Sequence, residues 1–499
     1  MYTLIVGGCL VLLAFDLPFK NQPNVAISPK NEKNQGESMV KSHNIDMING
    51  PIVKNLLSFA LPVTLFYVLK TVFHATDIAI LGIFSDDYSV GAVGSTTALI
   101  NLFANFFTGI SVGANILIAR AVGEQNTDRA SKYVGTSFFC SIFAGVFLSV
   151  IMLIGARTFL TWMNCPDNLI DKAIIYVKVY FLGMPLILLY TFSAAVMRAK
   201  GETVRPLCYL IIGGLINIVL NIFFIVVLNI DVAGVAIATI VSNGITAILS
   251  IKAITGTDDI IRFEKKHFRF YAQEVKEIIY LGLPAAVQTS LFSISNVLFS
   301  STFNKFGDIA VSGNTVAHQY DDILANTLSG FNAGVLTFIS QNLGAKKYKR
   351  VWKTLWVGLF FIITFGFALG ALAYLFSPTL CGLMSDKNEV IACAIRRMRI
   401  MSTTQFIGGS MTLFSNLLKA IKKPILSMIG SIFFTLILRL IWLYTIFPLN
   451  PTLETYYIVY PITWIICAVV FAVVGIIMLR KIQLKDEKKT QFYTESEIH

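Results

Sequence analysis

The stretch GISVGANILIARAVGEQN, residues 109–126, returns as GFNAGVLTFISQNLGAKK, residues 330–347. Gly109 pairs with Gly330, Gly113 with Gly334 and Gly123 with Gly344, each 221 residues further on. Upstream, VKNLLSFALP, ending at Pro62, mirrors VKEIIYLGLP, ending at Pro284, and Asn105 mirrors Asn326. The chain therefore reads as a duplicated half. The G-x-x-x-G steps inside the repeat fit close packing between helices, with hinges for alternating access as the other reading.

What is duplicated is a set of membrane spans. Of the 499 residues, 55% are hydrophobic and 14% charged, with 39 Phe and a mean hydropathy of +0.71, whereas soluble domains carry roughly 25% charged residues. Long apolar runs without strict alternation, such as VGLFFIITFGFALGALAYLF, favour spanning helices over barrel strands. Twelve spans are expected, beginning near Val53, Val90, Tyr133, Ala173, Arg205, Gly234, Val275, Ile309, Lys353, Val390, Pro424 and Thr455. The fold class is thus an all-α integral membrane protein, with twelve helices in two pseudo-symmetric six-helix bundles. An even number of spans per half starts both halves on the same face, which makes the repeats parallel about an axis along the membrane normal and leaves a cleft between them.

The connections divide by charge. MRAKGETVRP, IRFEKKHFRF, GAKKYKRVWK, KAIKKP and LRKIQLKDEKK are basic, while GIFSDDYS, NIDVAG and PLNPTLE contain no lysine or arginine. Arg157, Lys172, Lys305, Lys387 and the group Arg396, Arg397 and Arg399 run against the trend. The positive-inside rule then expects a multi-pass protein of the cell membrane with both termini in the cytoplasm. The net charge of +12 is explained by topology, and no nucleic-acid partner is implied. Seven cysteines are scattered without C-x-x-C spacing, so neither a metal site nor a disulfide framework is expected. Residues 1–46 read as a disordered or mis-assigned extension that does no work, translation starting at Met39 or Met47. The expected domains are a first lobe over 47–252, a linker on the cytoplasmic side over 253–274, a second lobe over 275–481 and a cytoplasmic tail over 482–499.

Within the first span, VLKTVFHATDIAILG, residues 68–82, carries three ionisable groups. At 100° per residue, Lys70, His74 and Asp77 share an arc of about 60°. A charge at mid-membrane costs roughly 2.5–3.5 kcal/mol on insertion scales, so this stripe should face a bundle interior or water with its charges paired. The alternative is that Lys70 and Asp77 snorkel to opposite interfaces. A buried carboxylate that gains and loses a proton between states is what coupling to an ion gradient requires. His74 fits either a proton relay or a packing contact.

Ordered blocks along the chain, among them ATDIAILG, AVGSTTALINLFANFFTGISVGANILIARAVG, YFLGMP, MRAKGETVRPL and GGLINIVLNIFFIV, resemble the multidrug and toxic compound extrusion (MATE) family from about Asp46 to Lys481. The resemblance implies two six-helix lobes and export of small molecules, often organic cations, in exchange for protons or sodium ions, with no cofactor and with a monomer as the working unit. Asp77 matches the first-helix aspartate used for cation coupling, and Asn217 and Asn221 match polar positions facing it. Two departures stand out: Lys70 where relatives usually have glutamine, and His74 where they often have asparagine. A protonated Lys70 would repel sodium. The mid-helix acids of sodium-linked relatives are missing from the second lobe, where Phe292 and the region of Gly408 stand instead. Protons are therefore expected over sodium, with Lys70 and Asp77 as a displaceable pair. HQYDDILAN supplies a second-lobe candidate site of His318, Asp321, Asp322 and Asn326, with at most one of the adjacent aspartates squarely facing the cleft. Asp321 and Asp322 lying near the helix's outer half and meeting water is the alternative. A flippase for a lipid-linked sugar is the nearest competing function. Enzyme motifs such as H-E-x-x-H, G-x-S-x-G and the P-loop are absent.

Overall fold

A computed structural model describes residues 44–255, 261, 263–303 and 306–496. The expected extension up to residue 43, Cys9, Lys305 and the side chain of Phe292 lie outside the described residues. Every regular element among those described is helical. The first lobe holds α1 (Ile52–Phe84), α2 (Asp87–Gly123), α3 (Thr127–Trp162), α4 (Ile170–Leu182), α5 (Met184–Lys200), α6 (Val204–Ile222, continued by a π-turn segment Phe223–Val227) and α7 (Val232–Thr255). The second holds α8 (Ala272–Phe303), α9 (Asp308–Gly344), α10 (Tyr348–Leu375), the short α11 (Ser377–Gly382), α12 (Asn388–Ala420), α13 (Pro424–Ser431), a π segment Ile432–Ile437, α14 (Leu438–Thr445) and α15 (Leu453–Ser496).

Nine helical spans among the described residues are long and apolar enough to cross a membrane. A tenth is the pair α4 and α5, bent by 51° at Gly183 ahead of Pro185. With α8 and α12, which match them in length, the expected twelve are complete. The ends follow local chemistry. Asp86 caps α2 by accepting from the Ser89 amide, and Asn126 caps α3 by accepting from the Arg129 amide. The duplication is visible in the backbone: Gln125 and Lys346 both turn left-handed at φ 54°, and Gly201 and Lys422 also take positive φ, at 104° and 60°, each pair one repeat apart. Lys172, a basic exception to the charge pattern, is answered on its own face by Asp86 at 2.7 Å and Asp231 at 3.7 Å. Lys172 and two hydrogen bonds from Ser89 hold the exposed Asp86 carboxyl down at about 2.

The lobes meet on the face that carries the basic connections, α1 against α9 and α2 against α8. A Cβ on Gly113 would stand 2.6 Å from the Gly282 nitrogen, and one on Gly344 would stand 2.2 Å from the Arg120 carbonyl oxygen. The repeated glycines therefore form the seam between lobes, which bears out the packing reading. Gln341 Nε2 donates to the Ala199 carbonyl at 2.7 Å, and Thr337 Oγ1 to Asn115 Oδ1 at 3.2 Å. Thr64 Oγ1 donates to the Thr327 carbonyl at 3.0 Å, and Asn326 Nδ2 to Thr71 Oγ1 at 3.2 Å. One apolar core runs through this contact and on through the second lobe, whereas the outer half of the first lobe packs around its own core of Leu81, Val93, Leu148 and Phe181. The separation of the cores marks a cleft that opens away from the basic face.

Three segments are more ordered than the sequence led one to expect. Ile45 is buried and donates its amide to the Gly201 carbonyl, while the Met47 carbonyl accepts from Asn342 and Arg350, so the packed fold starts by Ile45. Apolar side chains buried at 45 and 47 secure this strap. The inter-lobe segment is no free tether, because Phe263 and Phe268 lay their rings against Phe138 and Phe139 of α3. The expected tail continues α15 to Ser496, pinned where Tyr348 donates to Asp486.

Candidate functional site

In the first lobe, α1 carries Asp77 half-buried against α6. Asn221 Nδ2 donates to Asp77 Oδ1 at 2.7 Å and is 3.2 Å from Asn217 Oδ1. Asn217 Nδ2 in turn donates to Thr239 Oγ1 of α7 at 3.4 Å. Asn217 and Asn221 stand one turn apart on α6, and both are buried, so the helix spacing aligns them in one chain of hydrogen bonds. Asn221 Oδ1 is buried without a partner among the described residues, as is His74 Nε2. Tyr176 and Tyr180 of α4 complete the surroundings, close enough to sense the Asp77 charge.

Lys70 stands seven residues earlier on α1, exposed, with Arg198 in electrostatic reach. It forms no ion pair or hydrogen bond among the described residues. Asp77 is thus bonded to an amide, and the expected Lys70–Asp77 pair is not formed in this state. Arg198 instead lies over the Phe66 ring at 5.7 Å. Phe73 packs on Gly214 of α6.

The second-lobe candidates separate. Asp321 is buried; its Oδ2 accepts from Arg397 Nε at 2.9 Å and its Oδ1 from Ser402 Oγ at 2.8 Å, both on α12. Asn314 accepts from Arg397 and from the Tyr457 hydroxyl. Asp322 is half-exposed and pairs with His318 at 3.1 Å. Both aspartates border a cavity of about 300 Å³. Gly408 borders it too, as do Arg397 and Arg439. Asn326 belongs elsewhere, to the seam with Thr71. No group of three or more His, Cys, Asp or Glu side chains able to hold a metal ion occurs among the described residues.

Sequence reasoning missed Tyr176, Tyr180 and Arg439 as neighbours of these sites. An arginine alone in LILRLIWLY was a usable signal, since an ionisable group in a span marks function by default.

The MatE family model matches residues 62–223 and again 284–445, one match per lobe. The chain belongs to the MATE family. Among curated MATE relatives, it is similar to the probable multidrug resistance protein YoeA of Bacillus subtilis (strain 168), 27% identical over 74% of this chain and 81% of that protein. It is also similar to the multidrug export protein MepA of Staphylococcus haemolyticus (strain JCSC1435), 21% identical over the same shares. The fold matches a crystal structure of a MATE protein in complex with MaL6, at a TM-score of 0.81, 20% identity, and coverage of 88% of this chain and 99% of that one. The chain is accordingly a multi-pass membrane transporter of the MATE family.

Proposed function

We propose that this MATE protein is a secondary exporter of small organic compounds, driven by protons that move inward through Asp77. The observation that carries the reading is the Asp77–Asn221 contact, whose amide oxygen has no partner of its own. An amide serves both protonation states of a carboxyl: its NH2 donates to the ionised form, and its oxygen, after a flip, accepts from the protonated one. Asp77 can thus take up and release a proton without leaving its place. Sodium fits less well, because the network offers one carboxylate and amides, and Lys70 and Arg198 add positive charge nearby.

The positive-inside rule assigns the closed, basic face and both termini to the cytoplasm. The cleft then opens to the outside, where a proton reaches Asp77 as substrate departs. Protonation removes the charge from the first lobe, after which the glycine seam parts and the cleft reopens inward. The proton leaves to the cytoplasm, and the next substrate enters. The competing reading, a flippase for a lipid-linked sugar, draws on Lys70 beside Arg198; a preference for a charged lipid headgroup over a soluble dye would favour it.

The test is uptake of a fluorescent organic cation into proteoliposomes under an imposed pH gradient without sodium. The wild type is expected to accumulate dye and Asp77→Asn to lose gradient-driven uptake. Uptake that needs sodium, or that survives in Asp77→Asn, would overturn the assignment.

A further inference from the structure

Two arginines border the second-lobe cavity, and the fold treats them differently. Arg397 is committed to Asp321 and Asn314. Arg439, on α14, is only 2% exposed, donates through Nε to Thr463 Oγ1 at 3.2 Å and stacks on the Tyr460 ring at 4.2 Å. No carboxylate lies within ion-pair distance of it among the described residues. Its terminal guanidinium nitrogens have no protein partner there, while the residue lines the cavity. Buried charges in proteins are paired, and a guanidinium is shaped to grip a carboxylate through two parallel hydrogen bonds.

The same cavity holds groups of the opposite kind. Gln405 Oε1 and Asn332 Oδ1 are buried acceptors without a donor among the described residues, and both residues line it. Asp322, half-exposed on the same wall, adds negative charge. Trp464 also lines the cavity, its indole packed beside Gly408, where a Cβ would stand 3.3 Å from the ring. Unsatisfied donors with positive charge, unsatisfied acceptors with negative charge and an aromatic wall thus share about 300 Å³, the size of a small organic molecule.

We propose that this cavity is a subsite for a small zwitterion, its carboxylate on Arg439, its ammonium group on Gln405, Asn332 and Asp322, and its apolar body against Trp464. This names a substrate class for the exporter and rests on that reading. A free inorganic anion could also satisfy Arg439, but it would leave the acceptor side empty.

The test uses the full chain in proteoliposomes and tritiated L-phenylalanine as the probe. Competitors are phenylalaninol, which keeps only the amine, 3-phenylpropionate, which keeps only the carboxylate, and chloride. Unlabelled phenylalanine is expected to displace the probe at concentrations about tenfold lower than either single-charge analogue. Arg439→Gln should collapse the ratio against phenylalaninol, Arg439→Lys should keep part of it, and Gln405→Leu should collapse the ratio against 3-phenylpropionate. Ratios are read only on variants whose thermal unfolding in detergent stays cooperative, and Arg439→Lys serves where Arg439→Gln does not fold. Equal competition by all three organic compounds, ratios that survive the substitutions, or displacement by chloride at its ordinary concentrations would overturn the subsite. Gradient-driven dye uptake in the same vesicles separates the two levels. Dye transport without zwitterion preference sinks the subsite alone, and zwitterion preference without dye transport supports the subsite while sinking the proton-exporter reading.

Discussion

Asn221 matters because it is the one polar partner of Asp77 among the described residues. A hydrogen bond to a charged group contributes roughly 1.5–3 kcal/mol, so Asn221→Ala should lower proton-driven dye uptake by about tenfold or more. Unchanged initial rates in proteoliposomes would show that Asp77 works without the amide. Asp321 and Asp322 should part company in the opposite sense. Asp321→Asn leaves Arg397 buried without its counter-charge, a loss of roughly 3–5 kcal/mol, whereas the half-exposed Asp322 contributes at most about 1 kcal/mol through its pair with His318. Thermal unfolding in detergent is expected to drop for Asp321→Asn and barely move for Asp322→Asn; equal curves would count against the buried pair as a structural element. The stripe of Lys70, His74 and Asp77 was legible in the sequence because helical periodicity places those residues on one arc. The bond from Arg397 to Asp321 was not, since 76 residues separate the partners and no local pattern couples them. Lys70 shows the limit from the other side: its charge invited a pair with Asp77, but two helical turns kept them apart and an amide from α6 took the place.

At the scale of helices, the repeat announced which glycines matter without saying what they touch. Gly113 meets Gly282 of the other lobe across a gap that admits no Cβ, so α2 and α8 cross backbone to backbone. Gly113→Leu is expected to cost the closed seam roughly 1–3 kcal/mol by overpacking. That should raise thiol labelling of a Thr337→Cys reporter, whose position is 1% exposed in this state. If labelling stays at the parent level, the seam is not what holds the basic face shut. Span number was readable from hydropathy, and the break between α4 and α5 had its signal in Gly183 and Pro185. The strap at 45–50 and the packed inter-lobe segment were not readable, because their order comes from partners in distant helices, such as Asn342 and Arg350.

For the whole molecule, the orientation proposed above makes a labelling pattern. Ala75 is exposed on α1, whereas Thr337 is sealed in the seam. In a background with the native cysteines replaced, a membrane-impermeant thiol reagent added outside intact cells should modify Ala75→Cys readily and Thr337→Cys hardly at all. Labelling of Ala75→Cys only in inverted vesicles would reverse the topology. The Thr71–Asn326 hydrogen bond has a mechanical meaning as well. It is an inter-lobe contact far along α1, with 13 residues, about 20 Å of helix, running on past it to Phe84. Those free lengths act as lever arms about a short fulcrum: each degree of tilt between the lobes carries the tip of α1 about a third of an ångström. A ten-degree rocking then displaces the rim by about 3.5 Å, roughly the thickness of one aromatic ring, while the seam itself moves by a fraction of that.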